Sequence, residues 1–177
     1  MFIIKQHLAI IIIIIVLFIV HSILALVPPL NSDEALYWEH SRHLALGYYS
    51  HPPLTGWLIA AITNLFGISE YSIRFISIAL HLCVICIIYV WTNELTNEKK
   101  ISCVAAFIFC LMPVTFFFGS FVTSDCSLFF FYTISSYFVY KAIFSDSVKY
   151  WYIAGFTAGG MMLSKFMGFL FFPSIFL

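Results

Sequence analysis

Charge is scarce in this chain. Lysine and arginine number 8 and aspartate and glutamate 8, so charged residues make up 9% of the sequence and the formal net charge is zero. That balance leaves no basic footprint for nucleic acid and no acidic tail. Glycine (8) and proline (6) are also sparse, and no linker, second domain or internal repeat divides residues 1–177. The five cysteines, Cys83, Cys86, Cys103, Cys110 and Cys126, fall in or beside apolar runs, where a thiol behaves as a small hydrophobe. They suggest no disulfide framework. Cys83 and Cys86 form a Cys-x-x-Cys pair in mid-run without a strand-to-helix redox context, and read as helix packing. What remains is apolar: 63% of residues are hydrophobic and the mean hydropathy is +1.04, far above a soluble domain. The composition implies an integral membrane protein whose ligands lie in or beside the bilayer.

About 20 apolar residues cross the hydrocarbon core as a helix. On that rule the sequence predicts an all-α, polytopic bundle of about six spans in a single membrane domain: 8–27, 72–91, 101–118, 121–140, 150–163 and 166–177, the last stopping in mid-run at Leu177. The first contains six consecutive isoleucines, Ile10 to Ile15, is longer than a signal-peptide core and lacks a small-residue cleavage site after it, so it reads as an uncleaved span. Arg74, near one end of the second, is placed to snorkel. A tight turn around Gly119 and Ser120 is expected between the third and fourth.

Cytoplasmic loops carry an excess of lysine and arginine. With the N-terminus inside, Lys5, Lys99, Lys100, Lys141 and Lys149 are cytoplasmic, and Arg42, Arg74 and Lys165 lie outside. The alternation then sends segment 31–71, the 119–125 turn and the 164–165 junction to one outer face. Asp33, Glu34, Arg42, His43, His51, Asp125 and Lys165 share that side and are positioned to line a common cleft.

The outer segment opens "NSDEALYWEHSRHLALGYYSHPPL". Asn31 or Ser32 is a good N-cap, and Asp33 and Glu34 occupy the first turn, where the helix dipole favours negative charge. The pattern predicts a helix to about Leu46, ended by Gly47. On it Asp33, Tyr37 and Ser41 share one face and Glu34, Trp38 and Arg42 the next. Trp38, Tyr37, Tyr48 and Tyr49 are rings suited to headgroup level. Pro52 and Pro53 open a second short helix, 54–66, stopped by Gly67. Both helices are expected to lie at the interface.

An acid pair just after the first span, a Ser-Arg eight residues on, "LALGYY" and then "HPPL-x-x-W" resemble the first outer loop of the polyprenyl-phosphate-sugar-dependent glycosyltransferases. This is the GT-C superfamily that includes protein O-mannosyltransferases and lipid A aminoarabinose transferases. "TSDCSLFFFYTISSYFVYKA" (123–142) is similar to that family's second acidic motif, and "AGFTAGGMMLSKFMGFLFFP" (154–173) to its glycine-rich span ending in Ser-Lys. The order and spacing of the three motifs match as well. Ser50 departs from the pattern, since relatives often carry an acid just before this position's His-Pro-Pro. Family members also run to several hundred residues, so 177 residues resemble the N-terminal part of one.

The resemblance implies transfer of a sugar from a polyprenyl-phosphate donor to a lipid, glycan or protein acceptor. It places the chain in a bacterial inner membrane with the site facing the periplasm. Such chemistry needs a base for the acceptor hydroxyl and cationic groups for the phosphate leaving group. By resemblance Asp33 is the catalytic base and Glu34 its catalytic neighbour. Asp125 is a second acid that positions substrate or, with Asp33, a divalent cation, while Arg42, His51, Lys165 and Tyr37 bind substrate. The residues alone leave other readings open. Asp33 and Glu34 also fit first-turn acids of a solvated loop, Asp125 an acid at a helix start, and Arg42 and His43 partners of Glu39 at i, i+3 and i, i+4. His21 and His81, lone histidines within spans, read as packed side chains outside any recognised motif. A non-catalytic membrane protein or an inactive remnant of a split gene is the alternative to the enzyme. A transporter would be expected to carry broken helices and midplane charges, whereas here the polar groups collect at one face.

Overall fold

The structure, a computed structural model, describes residues 2–145 and 147–175, with side chains from His7 onward. Lys5's side chain and the last two residues of the run 166–177 lie outside that range. The chain is 82% helical with no strand among the described residues. It is an all-α membrane helix bundle.

Three helices are long and apolar enough to cross a membrane: α1 (Phe2–Leu26), α4 (Glu70–Thr96) and α7 (Ser124–Phe144). The third expected span is broken. It forms α5 (Lys99–Leu111) and α6 (Pro113–Ser120), bent by 74° at Met112. The cause is local: Pro113 has no N–H to continue the α5 ladder, and it forces Met112 to extended backbone (φ −67°, ψ 125°). Gly119 and Ser120 accordingly lie inside α6, and the connection to α7 is the stretch 121–123. The fifth run is α8 (Lys149–Ser164), whose 16 residues rise only about 24 Å, short of the roughly 30 Å hydrocarbon core. The sixth is a 3₁₀ turn (Phe166–Leu170) and a four-residue α9 (Phe171–Ser174). Gly168 rests against α8 so closely that a Cβ there would lie 2.8 Å from the Met161 carbonyl oxygen. By length and composition the described residues hold three helices able to span, or four counting the bent pair, where the sequence suggested six.

The polar segment 31–71 includes α2 (Ser32–Arg42) and α3 (Leu54–Phe66). Asn31 is the N-cap, and a capping box closes the start: Asn31 Oδ1 accepts from the Glu34 N–H (2.9 Å) while Glu34 Oε2 accepts from the Asn31 N–H (3.0 Å). The helix ends at Arg42, short of Leu46, because Tyr48 folds back onto it. Its hydroxyl lies 2.6 Å from the His40 carbonyl and 2.9 Å from that of His43, and its ring stacks on His40 at 3.8 Å. These contacts take up carbonyls that a longer helix would have bonded internally. Gly67 stops α3 at φ +82°, a conformation that favours glycine.

Cores form at three levels. Ile10, Ile85, Tyr89, Ala106 and Cys110 join α1, α4 and α5; Tyr37, Ile59, Ile73 and Val122 join α2 and α3 to α4; Met161 and Phe171 join α8 to α9. All five thiols are free, and Cys83 and Cys86 face out of α4 rather than into the packing.

Candidate functional site

The end of α1, the helices α2 and α3, the start of α4, the 121–123 stretch and the end of α8 meet at one end of the bundle, and an ion pair fastens them. Among the described residues Arg74 is the largest side chain shut completely from solvent, so it does not snorkel. All five of its N–H donors are used. Nε and Nη2 reach Glu34 Oε1 and Oε2 at 2.8 and 2.7 Å; Nη1 reaches the carbonyls of Ala25 (2.9 Å) and Pro28 (2.8 Å); Nη2 also reaches that of Pro29 (2.9 Å). Glu34, equally buried, accepts four bonds, the last from the Val122 N–H at 3.2 Å. This fully satisfied network pins α1, α2, α4 and the 121–123 stretch to one another. Sequence reading missed it, though an arginine inside a span faces the bundle interior as a rule.

Asp33, one position away and so about 100° round the helix, is exposed and makes no hydrogen bond or ion pair among the described residues. The two adjacent acids thus have opposite environments. One turn further, Tyr37 is 3% exposed. Burial pushes its phenol pKa up; hydrogen bonds from Ser124 oppose that, and the nearby carboxylates of Asp33 and Asp125 reinforce it. Asp125, in the first turn of α7, holds Lys165 by both oxygens, at 2.7 and 2.9 Å. The pair is about two-thirds buried, with side chains 32% and 27% exposed. His51 lies edge-on to Tyr37 at 5.2 Å and His40 at 6.0 Å, and each has a buried Nδ1 without a partner. Burial and the neighbouring His51 lower the His40 pKa, against Glu39, which raises it.

The fold therefore gathers Asp33, Tyr37, His51, Asp125 and Lys165 around one tyrosine, and adds His40 and Ser124, which the sequence did not single out. His40 was legible in principle, three residues beyond Tyr37 on the same face. Arg42 is not brought in. It is 57% exposed, pairs with Glu39 at 3.6 Å beside a His43–Glu39 contact of 3.2 Å, and lines a groove between α2 and α3 with Trp38, Thr63 and Asn64. Among the described residues no group of three or more His, Cys, Asp or Glu could hold a metal ion. Asp125 already has an ammonium on both its oxygens. The donor set does not fit the divalent site that the sequence suggested.

A bundle of apolar helices with two acids, a lysine and two histidines collected at one end is an integral membrane protein with a polar cluster at one end of the bundle. Residues 50–177 match the dolichyl-phosphate-mannose-protein mannosyltransferase family, and the chain belongs to that family of GT-C membrane glycosyltransferases. It is also similar to the lipid A galacturonosyltransferase RgtD of Rhizobium johnstonii, 47% identical over 51 residues that make up 28% of this chain and 11% of that protein. No solved structure matches it.

Proposed function

We propose that the site transfers a sugar from a polyprenyl-phosphate donor to a hydroxyl of a lipid, glycan or protein acceptor at the outer face of the membrane. Family membership supports the donor class, since GT-C enzymes use polyprenyl-phosphate sugars. The observation that carries the reading is the unpaired, exposed carboxylate of Asp33 beside the same tyrosine as the Asp125–Lys165 pair.

In this reaction Asp33 takes the acceptor's hydroxyl proton. The freed oxygen forms the new bond to the anomeric carbon as the bond from that carbon to the phosphate oxygen breaks. The phosphate leaves with the electron pair, and Lys165 and His51 stabilise its added charge. Asp125 orients the lysine and Tyr37 lines the sugar side. Glu34 acts behind the site, through Arg74 and Val122, as a positioning residue. Its place in the catalytic pair gives way to the structural role.

The test is Asp33→Asn in the full-length protein, with sugar transfer measured per folded molecule in membranes. Turnover falls by on the order of a hundredfold or more while the amount of folded protein stays constant. Wild-type turnover in this variant would refute the base assignment, and absence of transfer by the unmutated full-length protein would favour a non-catalytic membrane protein.

A further inference from the structure

His21 and His81 belong to no part of the site, yet both are shut inside the bundle just below it, at 0% and 6% exposure. They approach from α1 and α4 with ring centroids 5.1 Å apart and planes at 82°. They meet over Gly119 of α6, where a Cβ would stand 2.8 Å from His21 Cε1 and Nε2 and from His81 Cδ2. Only the missing side chain lets both rings in.

Ser120 Oγ lies 2.9 Å from His21 Nδ1 and 3.1 Å from the Phe116 carbonyl oxygen. When its one hydroxyl proton goes to that carbonyl, the oxygen accepts from His21 Nδ1–H, and in the neutral ring Nε2 is then a bare lone pair. That atom has no hydrogen-bond partner, and neither has His81 Nε2, whereas the Ser77 hydroxyl is shared with the Cys126 thiol. Ser77 and His81 are one turn apart on α4, on the face that also carries Arg74. The two orphaned Nε2 atoms belong to rings in edge-to-face contact. Each carries the desolvation cost of an unmade hydrogen bond. A cavity of about 10 Å³, about the room one water needs, opens beside His81, lined also by Thr115, Cys126 and the apolar side chains of Val84, Phe109, Phe118 and Phe129.

We propose that His21 and His81 form a buried binding site for water where α1 and α4 meet over Gly119 of α6. A water both donates and accepts, so it can donate to His21 Nε2 and meet His81 in either tautomer. A dication does not suit the place. Two imidazoles bring no negative charge, the Cys126 S–H is spent on the carbonyls of Phe118 (3.0 Å) and Phe121 (3.3 Å), and an uncompensated charge in an apolar bundle is prohibitive. The bound water sets the seat of Ser120, two residues before the Val122 N–H that binds Glu34. It is thus a joint between the membrane core and the outer site.

The experiment is water-edited nitrogen-15 spectroscopy of the histidine-labelled, full-length protein in lipid nanodiscs, with exposed His43 as the wet reference. Magnetisation from water should reach the Nε2 atoms of both His21 and His81, with His21 showing the Nδ1–H tautomer. In Gly119→Ala, which drives a methyl against both rings, the transfer to His21 should be lost. A dry pair in the wild type, a direct coupling between the two Nε2 atoms, or ring signals that shift on adding a chelator would overturn the proposal. The wild-type spectrum decides the matter even where Gly119→Ala fails to insert.

Discussion

Asp33 and Glu34 are neighbours in sequence, and the structure makes them fail in different ways. Replacing Glu34 with glutamine keeps the volume but removes the charge that balances a fully buried guanidinium. It also turns an amide NH₂ towards donors that had faced an acceptor. Breaking a buried ion pair from one side costs roughly 3–5 kcal/mol, and two further donors, the Asn31 and Val122 N–H groups, risk losing their acceptors. Against a total stability of about 5–15 kcal/mol, and with about 1.4 kcal/mol per factor of ten, the folded-to-unfolded ratio drops by at least two powers of ten. Arg74→Met should be as severe, because the carbonyls of Ala25, Pro28 and Pro29 lose their donors with it. Arg74→Lys falls between, since an ammonium has three donors where the guanidinium uses five. The assay is thermal melting and monodisperse yield in detergent, followed by turnover per folded molecule. Glu34→Gln should lose folded protein, and Asp33→Asn only turnover. A Glu34→Gln variant with wild-type yield and melting temperature would refute the reasoning about the clamp.

Two further outcomes separate the polar groups. Lys165→Ala should raise the apparent KM for the lipid donor by about tenfold or more, the scale of a charged hydrogen bond, whereas Arg42→Ala, on another face of α2 and already paired with Glu39, should leave donor saturation unchanged. Equal effects on KM would put Arg42 back in the site. His40 supplies a pH signature: its folded-state pKa lies below that of an unfolded histidine, so the unfolded state binds the extra proton first. The stability it contributes is present above about pH 6.5 and is lost as pH falls below that. Melting temperatures at pH 7.5 and 5 should differ less in His40→Gln than in the wild type, and an identical difference would remove His40 from the account.

Much of this was legible in the chain because membrane helices announce themselves by composition. Segment 31–71 was readable for the same reason: its polar residues contrast with everything around them, and Asn31 with Glu34 spells a capping box. Three things escaped. The break at Pro113 was hidden inside an apolar run that hydropathy sums as one span. The truncation of α2 depends on Tyr48 returning from six residues beyond the helix, a tertiary contact that outweighs local helix preference. The division of labour between Asp33 and Glu34 required knowing which face of α2 meets α4, and the residue that decides it, Arg74, lies 40 positions away. Hydropathy could mark Arg74 as unusual but could not supply its partner.

Charge decides whether a site so arranged suits an anionic donor. Around Tyr37 stand two carboxylates and one ammonium, so with neutral histidines the formal balance is one negative charge, which by itself repels a phosphate. Two features offset this on the proposed reading. The raised pKa of Tyr37 keeps its phenol uncharged well past neutral pH, so the ring adds no further negative charge. Lys165 spends two contacts on Asp125, yet an ammonium has three N–H groups, and the side chain remains 32% exposed. The third N–H is therefore available to a phosphate oxygen without breaking the pair, and Asp125 keeps the lysine from swinging out to water before the donor arrives. Asp33, exposed and unpaired, carries the remaining negative charge where a hydroxyl proton must be accepted. The repulsion between that carboxylate and the phosphate keeps base and leaving group apart, as a displacement at the carbon between them requires.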